Sequence, residues 1–459
     1  MPQPRGSDRP IILWLRQDLR LADNPALAAA IATGRPVIPL FVLHEASDGR
    51  PWGAASLWWL DKSLRALGAD LRERGSRLIL RRGDPAMIVP ALAQELGADV
   101  HWNRLYGHAA VARDSDLKAE LGATSCNASL LTEPWTVKTG AGGVFQVFTP
   151  FWRAAQAVIE DAPIAPAPRH IPAPNEWPGS DDLKDWKLHP TAPDWSTGFG
   201  DWTPGEAGAQ AQLKTFIKQG LDDYPRGRDR PDLDSTSRLS PHLHWGEIGP
   251  RQVRAAAHGP SADKYMAEIG WREFNHHLLY QHGDLFRRNI RRDFDGFPWR
   301  DDPPSLAAWR EGRTGYPLVD AGMRQLWATG FMHNRVRMVV ASFLIKHLLI
   351  DWREGEAWFW DTLLDACEAN NPANWQWSAG SGADAAPFFR VFNPVLQGER
   401  YDPDGGYVRR WIPELAHLPA KQIHQPWTAD VSGYPKPIVD HAMARQRALD
   451  AFKEMRAED

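Results

Sequence analysis

The sequence predicts a two-part protein, with an N-terminal α/β domain built on a doubly wound parallel sheet and a C-terminal all-α domain behind a long linker. Three observations predict this fold class. Short apolar runs alternate with helical stretches over residues 11–128, prolines crowd residues 161–204, and helical periodicity dominates from about residue 205. A chain of 459 residues is long enough for both domains. We expect the α/β domain, the linker and the helical domain to cover residues 1–130, 131–204 and 205–459.

The alternation in the N-terminal part is typical of β/α units that build a parallel sheet. The apolar runs have the composition of buried parallel strands. The predicted strands are 11–15, 36–43, 77–80 and 98–102, and the predicted helices are 22–32, 54–74, 85–96 and 109–121. Asp23 and Asp84 stand near prolines and suit helix starts. The dinucleotide fingerprint and the phosphate loop ending in Gly-Lys are both missing, which disfavours a nicotinamide dehydrogenase and a nucleoside triphosphatase.

The rest of the chain separates into a proline-rich segment and a helical segment. Residues 161–204 contain nine prolines and few periodic apolar positions, which favours a linker that runs over the surface. From about residue 205, apolar residues recur at helical spacing and no strand pattern is convincing, so we predict an all-helical domain. The predicted helices are 207–219, 249–257, 262–281, 318–329, 333–349 and 356–369.

Composition narrows the class of protein without deciding its partner. No apolar run reaches the length of a membrane span, and two cysteines are too few for a disulfide framework, so we expect a protein of the reducing cytoplasm. The net charge of -4 argues weakly against a nucleic-acid partner, although residues 287–300 and 321–350 are rich in basic side chains. These islands form either one basic face or scattered surface charge, and composition leaves both readings open.

Hydroxyl side chains cluster ahead of a predicted helix start in the helical half. Residues 236–240 read Thr-Ser-Arg-Leu-Ser and precede Pro241, and Tyr224 lies twelve residues before the first of them. Hydroxyls and free N–H groups beside a helix start can cradle a phosphate. The same residue types also form ordinary caps and turns, and the motif taken alone favours that simpler interpretation.

Two further segments predict helices with polar and aromatic side chains on one face. Glu268, Trp271 and Asn275 share a face through their i, i+3, i+7 spacing. They suit stacking on a base and hydrogen bonding to its edge, or else a boundary helix with a packed Trp. The second segment is 332–338, in which helical spacing places Arg335 and Arg337 on different sides. These arginines serve two separate anions or belong to an amphipathic surface helix.

The most specific motif combines asparagines with tryptophans between residues 365 and 399. It contains Asn370-Asn371-Pro-Ala-Asn-Trp375-Gln-Trp377. On a helix, the rings of Trp375 and Trp377 point about 200° apart, so one can face a redox centre while the other faces a ligand pocket. A purely structural cluster is the alternative, but so many Trp and Asn residues outside a regular apolar pattern make a poor core.

These motifs resemble those of the photolyase/cryptochrome family, specifically the bacterial photolyases of cyclobutane dimers, over nearly the whole chain. The resemblance is carried by segments 14–20, 24–27, 314–324, 333–335, 351–356 and 374–377. It implies a carbon–carbon lyase that repairs cyclobutane pyrimidine dimers in DNA with light. It also implies reduced FAD as the active cofactor, no metal, no membrane association, no obligate protein partner and a monomeric state.

The resemblance implies that FAD binds in a bent shape inside the helical domain. The residues that it places around the flavin phosphates are Tyr224, Thr236, Ser237, Arg238, Leu239 and Ser240. It places Arg337 and Asp365 beside the isoalloxazine ring and Asn371 near N5, where an uncharged amide helps to hold the reduced anionic flavin. Cys367 stands where an acid is common in the family, which leaves one flavin contact open.

The resemblance also implies the electron path, the substrate pocket and the DNA contacts. It assigns Trp299, Trp352 and Trp375 to a chain that moves an electron in short steps between flavin and surface. The pocket for the flipped dimer is assigned to Glu268, Trp271, Asn334, Met338 and Trp377, and flipping costs less for a dimer because it stacks and pairs poorly. Contacts to the DNA backbone, which carry little sequence preference, are assigned to Arg228, Arg335 and Gln397.

Departures from the family pattern bear on the antenna and on rival functions. Relatives that hold a folate antenna carry an Asn-Glu pair where this chain has Ala109 and Ala110, so the antenna is absent or is a deazaflavin or another chromophore. A (6-4) photolyase has a histidine pair in place of Asn334 and Met338. A cryptochrome photoreceptor is disfavoured by Asn371, the intact dimer pocket and the short C-terminal part. The third rival is a helical DNA-binding protein without flavin.

Overall fold

The structure, a computed structural model, describes residues 9–47, 49–384, 389–429 and 431–457. Its N-terminal part contains a five-stranded sheet in which every neighbouring pair is parallel, in the order β5-β2-β1-β6-β7. The strands are β1 Ile11–Leu15, β2 Val37–Leu43, β3 Ala46–Ser47, β4 Arg50–Pro51, β5 Ile79–Arg82, β6 Asp99–Asn103 and β7 Thr124–Cys126. The short strands β3 and β4 form a separate antiparallel pair. The predicted doubly wound parallel sheet is confirmed, with helices in the crossovers.

Strand β1 lies at the centre of the sheet and pairs with β2 on one side and β6 on the other. All five of its residues are buried, as its apolar run predicts. The edge strand β7 is missing from the sequence prediction. Its three residues, Thr-Ser-Cys, are too few and too polar to form an apolar run, so only pairing with β6 reveals it.

Helices account for nearly all regular structure after β7, which confirms the second half of the predicted fold class. The α-helices are α1 Pro25–Ala32, α2 Ala54–Glu73, α3 Pro85–Leu96, α4 His108–Leu121, α5 Phe148–Val158, α6 Glu206–Gln219, α7 Tyr224–Gly227, α8 Ser240–His244, α9 Pro250–Ala256, α10 Ala262–His282, α11 Pro303–Arg310, α12 Pro317–Thr329, α13 Asn334–Ser342, α14 Trp352–Thr362, α15 Asn370–Ala379, α16 Pro394–Tyr401, α17 Gly406–Trp411, α18 Ala420–Ile423 and α19 His441–Ala457. A π-helical turn, Phe343–His347, follows α13.

Helix boundaries differ from the predictions where capping groups decide them. Asp84 caps α3 as predicted, since its carboxylate accepts from the N–H of Ala86. The prediction for Asp23 was wrong, because Asn24 accepts from the N–H of Leu27 and caps α1. The predicted helix 356–369 is also displaced. The carboxylate of Asp351 accepts a hydrogen bond from the N–H of Arg353 and caps α14, which therefore begins at Trp352. The helix ends at Thr362.

The predicted linker is not free of regular structure. Helix α5 lies within residues 131–204 and packs on α10, where the ring of Phe148 stacks on that of Trp271 at 4.0 Å. Residues 161–204 contain two short 3-10 turns, Leu183–Trp186 and Ser196–Asp201, and otherwise no helix or strand. The domain boundaries given above stay a prediction.

Buried polar groups join the sheet part to the helical part. The carboxylate of Glu247, which has no exposed surface, accepts from the indole N–H of Trp59, the hydroxyl of Ser63 and the N–H of Gly205. Arg20 donates from the sheet part to the carbonyl of Gly246. Because an unpaired buried carboxylate is costly, these contacts fix α2 against the segment around residue 247.

Within the described ranges, no helix has both the length and the apolar character that crossing a bilayer requires.

Candidate functional site

A cavity of about 470 Å³ opens among the helices of the C-terminal part, within the size range of small-molecule sites. Helices α10, α13 and α15 and the segment 365–369 form most of its wall. Gln17, Tyr106 and Ser129 of the N-terminal part also line it. The cavity is therefore shared between the two parts of the chain, which the sequence did not indicate.

Most of the predicted site residues meet in this one cavity. Those that line it are Tyr224, Arg228, Ser237, Ser240, Glu268, Trp271, Asn334, Arg335, Arg337, Met338, Asp365, Cys367, Asn371, Trp375 and Trp377. Those that lie outside its lining are Thr236, Arg238, Leu239, Trp299, Trp352 and Gln397. The guanidinium of Arg238 lies over the ring of Trp202 at 4.2 Å instead. The roles assigned to all of these residues stay predictions.

The inner end of the cavity carries a bidentate ion pair. Arg337 donates to both carboxylate oxygens of Asp365, at 3.1 and 2.9 Å, and its Nε donates to the carbonyl of Met332. The Asp365 side chain is 5% exposed. In a pair of this kind each partner offsets the cost of burying the other's charge.

Asn371 is oriented by a buried carboxylate. Its amide Nδ2 donates to the carbonyl oxygen of Glu356 at 3.0 Å and to the Glu356 carboxylate at 2.8 Å. That carboxylate also accepts two hydrogen bonds from Arg50, at 2.7 and 2.8 Å. Because Nδ2 is held in this way, Oδ1 is the amide atom of Asn371 that is left to accept a hydrogen bond, and Asn371 lines the cavity.

Buried polar atoms without a partner on the cavity wall call for a ligand with polar groups. Nε2 of His244 and Oγ of Ser129 have no hydrogen-bond partner among the described residues. Burial lowers the pKa of His244 to about 4, so its ring is neutral at neutral pH. Since buried polar groups are normally satisfied, a bound molecule with several donors and acceptors fits this wall, and the hydroxyls of Ser237 and Ser240 add further polar contacts.

Trp375 connects the cavity with an aromatic core. Its ring lies 5.0 Å from that of Phe359 and 6.2 Å from that of Trp309. Trp352 is fully buried in the same core cluster, and Trp299 is partly buried at its edge. Of the three tryptophans predicted to carry electrons, Trp352 and Trp375 therefore belong to one packed cluster, and Trp299 packs against it.

The outer part of the cavity is aromatic. Trp271 is braced by its stack on Phe148, and the indole N–H of Trp377 donates to the carbonyl of Asp384 at 3.1 Å. Both side chains are half-buried. Trp377 is the outer ring and the buried Trp375 the inner one, so the two tryptophans occupy different depths of the cavity.

Charged pairs surround the mouth of the cavity. Arg228 donates to the carboxylate of Glu268, and Arg335 donates to Asp229 at 2.9 Å. The guanidinium of Arg335 also lies over the ring of Tyr401 at 4.3 Å. The two arginines predicted to contact the DNA backbone are therefore paired with carboxylates of the protein itself.

Cys367 contributes an uncharged group to the cavity. Its sulfur accepts from the N–H of Asn370 at 3.1 Å, and burial raises the pKa of its thiol. The thiol is therefore protonated at neutral pH, in the position where the resemblance would put an acid.

Sequence reasoning missed several residues that shape the site. Glu356 belongs to the quoted segment 351–356, but its part in holding Asn371 depends on packing of α14 against α15. Arg50 is 306 residues away from Glu356 along the chain, and no local pattern links the two. His244 belongs to none of the motifs described above, and only the fold shows that it lines the cavity.

A second cleft of about 410 Å³ lies beside α4 in the N-terminal part. Trp102, Trp135 and Tyr280 provide its aromatic lining, and Arg104 and Lys118 are among its charged residues. Ala109 and Ala110 lie in the first turn of the same helix and do not line the cleft.

Comparisons with known proteins agree with this architecture. Residues 11–173 match the family model for DNA photolyase, and residues 265–454 match that for the FAD binding domain of DNA photolyase. The chain is 52% identical to a deoxyribodipyrimidine photo-lyase of Agrobacterium fabrum, over 96% of this chain and 97% of the relative. It is 37% identical to cryptochrome-1 of Arabidopsis thaliana, over 98% of this chain and 71% of that protein. The crystal structure of a class III photolyase from Agrobacterium tumefaciens superposes with a TM-score of 0.95 at 49% identity, covering 99% of each chain.

The contact between Asn371 and Glu356 predicts a pH-dependent loss of stability in Asn371→Asp. A second carboxyl group about 3 Å from the first would raise the pKa of the pair in the folded state. Protons are then bound more tightly in the folded than in the unfolded protein, so stability is present at low pH and lost as pH rises from about 4 through the raised pKa. We expect the variant to lose about 1–3 kcal/mol more at pH 8 than at pH 5.

Urea unfolding at the two pH values measures this loss. The matched control is Asn374→Asp, because Asn374 is exposed and its amide contacts only the carbonyl of Asn370 among the contacts described. A pH dependence equal to that of the control would show that Asn371 and Glu356 are not coupled.

Proposed function

The chain belongs to the DNA photolyase family, and from that premise we propose that it repairs cyclobutane pyrimidine dimers in DNA by light-driven electron transfer from reduced FAD. Its enzyme class is that of the photo-lyases, and it carries the family's FAD-binding domain. The observation that carries the proposal is the convergence of the predicted flavin, dimer and DNA residues on one cavity. When bound, reduced FAD supplies an electron donor that light excites.

The inner cavity suits the reduced form of the flavin. Asn371 offers an acceptor, its Oδ1, and the N5 position carries an N–H donor in reduced flavin. Arg337 supplies a cation that Asp365 balances, so the site can hold an anionic ring without a large net charge. The unpartnered atoms of His244 and Ser129 supply further polar contacts for the cofactor.

The outer cavity suits a flipped pyrimidine dimer. The half-buried rings of Trp271 and Trp377 offer stacking surfaces, and Met338 adds a thioether. Glu268 and Asn334 can bond the polar edges of the bases. Because these groups lie on the same cavity as the flavin residues, an electron needs to cross only a short distance to reach the dimer.

A blue-light photoreceptor is the second candidate function, and the resemblance to cryptochrome-1 favours it. The alignment covers 98% of this chain and 71% of that protein. The neutral Asn371 and the complete dimer pocket support repair over signalling. A (6-4) activity is less well supported, because Asn334 and Met338 replace the histidine pair.

The type of antenna chromophore, the cellular location and the oligomeric state are further proposals. We propose that any antenna chromophore is held without a folate-type carboxylate, since Ala109 and Ala110 cannot provide one. The aromatic cleft lined by Trp102 and Trp135 supports a planar chromophore there. The free cysteines Cys126 and Cys367 support a cytoplasmic location, and we propose that the enzyme acts as a monomer.

The test of the function is repair of an oligonucleotide containing one cyclobutane dimer. We expect the reduced protein to restore the bases under blue or near-ultraviolet light and to leave them unrepaired in darkness. The absorbance of the restored pyrimidines measures the reaction. A protein that binds flavin and photoreduces it but restores no dimer in light would support the photoreceptor instead.

Replacement of Trp375 separates electron supply from repair. We expect Trp375→Phe to abolish photoreduction of oxidised flavin, because the ring nearest the cavity can then no longer be oxidised easily. Protein reduced chemically beforehand should still repair dimers. Absorbance of the flavin under illumination measures the first effect, and dimer repair measures the second.

The control for this variant is Trp245→Phe. Trp245 is also buried, in a different core cluster, and its indole N–H has no hydrogen-bond partner among the described residues. Equal loss of photoreduction in both variants, or loss of repair by the reduced Trp375→Phe protein, would contradict the role assigned to Trp375.

Truncation of the outer ring should weaken the binding of damaged DNA. We expect Trp377→Ala to lose about 1–3 kcal/mol of binding free energy, which is the size of one lost base–aromatic stack. Fluorescence anisotropy in darkness measures the affinity. Trp427→Ala is the control, because Trp427 is 38% exposed and lies outside the cavity lining. Unchanged affinity of Trp377→Ala would remove Trp377 from the dimer pocket.

A further inference from the structure

We propose that Asp229 is a specificity-determining residue, which limits binding to undamaged DNA by holding two arginines at the mouth of the cavity. The inference rests on the proposed function, in which Arg228 and Arg335 bind the DNA backbone. Asp229 itself belongs to none of the motifs described above. Its effect would appear as the ratio between the affinities for damaged and undamaged DNA.

One oxygen of Asp229 contacts both arginines. Its Oδ1 lies 2.9 Å from Nη2 of Arg335 and 3.8 Å from Nε of Arg228. Arg228 follows α7, whereas Arg335 is in the first turn of α13. The Asp229 side chain is 35% exposed and the two arginine side chains 14% and 16%. One carboxylate therefore bonds the cation of Arg335 on α13 and lies beside the cation of Arg228, which follows α7, while it remains open to solvent.

The charges at this place nearly cancel before DNA binds. Arg228 also contacts Glu268, and among the described residues Asp229 is the only carboxylate in an ion pair with Arg335. Burial lowers the pKa of the adjacent His333 to about 4, so that ring adds no charge at neutral pH. Two arginines thus face two carboxylates, and a DNA phosphate has to compete with Asp229 for Arg335.

This competition weakens the two modes of DNA binding unequally. Undamaged duplex is held through its backbone, and that binding depends on the cations that the protein offers to phosphates. Damaged duplex also fills the cavity, and the flipped dimer then requires the arginines at one fixed spacing. Asp229 repels phosphates and so lowers the affinity for both duplexes. In the damaged complex this loss is offset, because Asp229 has already restricted the rotamers of the arginines to the spacing that the complex requires.

The test compares the FAD-loaded protein with Asp229→Asn on matched duplexes, with and without a dimer, in darkness and over a range of salt concentrations. We expect the Kd for undamaged DNA to fall about three- to tenfold, with a steeper salt dependence. The Kd for dimer-containing DNA should change by less than about twofold, because the lost restraint on the arginines offsets the gain in charge. An equal fall for both duplexes, or no fall for undamaged DNA, would overturn the inference.

Two further variants separate this contact from a simple change in net charge. Asp223→Asn removes the same charge from an exposed pair with Arg226 and should leave discrimination unchanged. In an Arg335→Gln background, Asp229→Asn should no longer tighten the binding of undamaged DNA to the same extent. The inference is wrong if Asp223→Asn reproduces the effect, or if the effect persists in full without Arg335.

Light-dependent repair by the unsubstituted protein distinguishes a failure of the inference about Asp229 from a failure of the proposed function. If that protein binds and repairs dimers while Asp229→Asn leaves discrimination unchanged, the inference about Asp229 fails alone. If the unsubstituted protein does not bind dimer-containing DNA in preference, the proposed function fails with it. Flavin absorbance and circular dichroism of each variant establish that it is folded and loaded.

Discussion

The buried carboxylate of Glu356 is the contact on which the inner site depends. It is 2% exposed and is satisfied by Arg50 beside the sheet and by Asn371 on α15. A carboxylate buried without partners would cost several kcal/mol, so these contacts favour the arrangement in which β4, α14 and α15 meet. The hydrogen bonds that satisfy Glu356 also orient the amide of Asn371. The packing of these segments and the orientation of the site therefore depend on the same contacts.

The positive charges around the cavity come from arginines, because burial keeps the nearby histidines neutral. Burial lowers the pKa of His244 and His333 to about 4 and that of His276 to about 3. Arg337 is balanced by Asp365 deep in the cavity, and Arg335 by Asp229 at its mouth. In a protein with a net charge of -4, these cations are therefore paired with carboxylates at the cavity, and an anion that binds there has to compete with those carboxylates.

The high tryptophan content serves both packing and the site. Trp59 bonds the buried Glu247 that joins the two parts of the chain, and Trp352 lies in the core behind the cavity. Trp271 and Trp377 are instead half-buried at the outer cavity. Large rings held by stacking and by N–H contacts lose little freedom when a ligand arrives, which suits a pocket that must receive a base already taken out of its stack.

The sequence by itself determined the fold class and the family, and it supplied the candidates for the site. The signals that can be recognised in the sequence involve residues close together along the chain. Examples are the apolar run of β1, the helical spacing of Glu268 and Trp271, and the Asn371–Trp377 motif. Only the tertiary structure decided which of these residues share a cavity, since Thr236 and Ser237 are adjacent and yet only Ser237 lines it.

Contacts between distant segments were likewise decided by the tertiary structure. The pairing of Arg50 with Glu356 spans 306 positions and that of Asp229 with Arg335 spans 106. Neither pair has a local spacing that a sequence pattern can express, because each depends on how whole helices pack. The residue types were therefore set by the sequence, whereas the partner of each buried charge was set by the requirement that it be neutralised in the folded core.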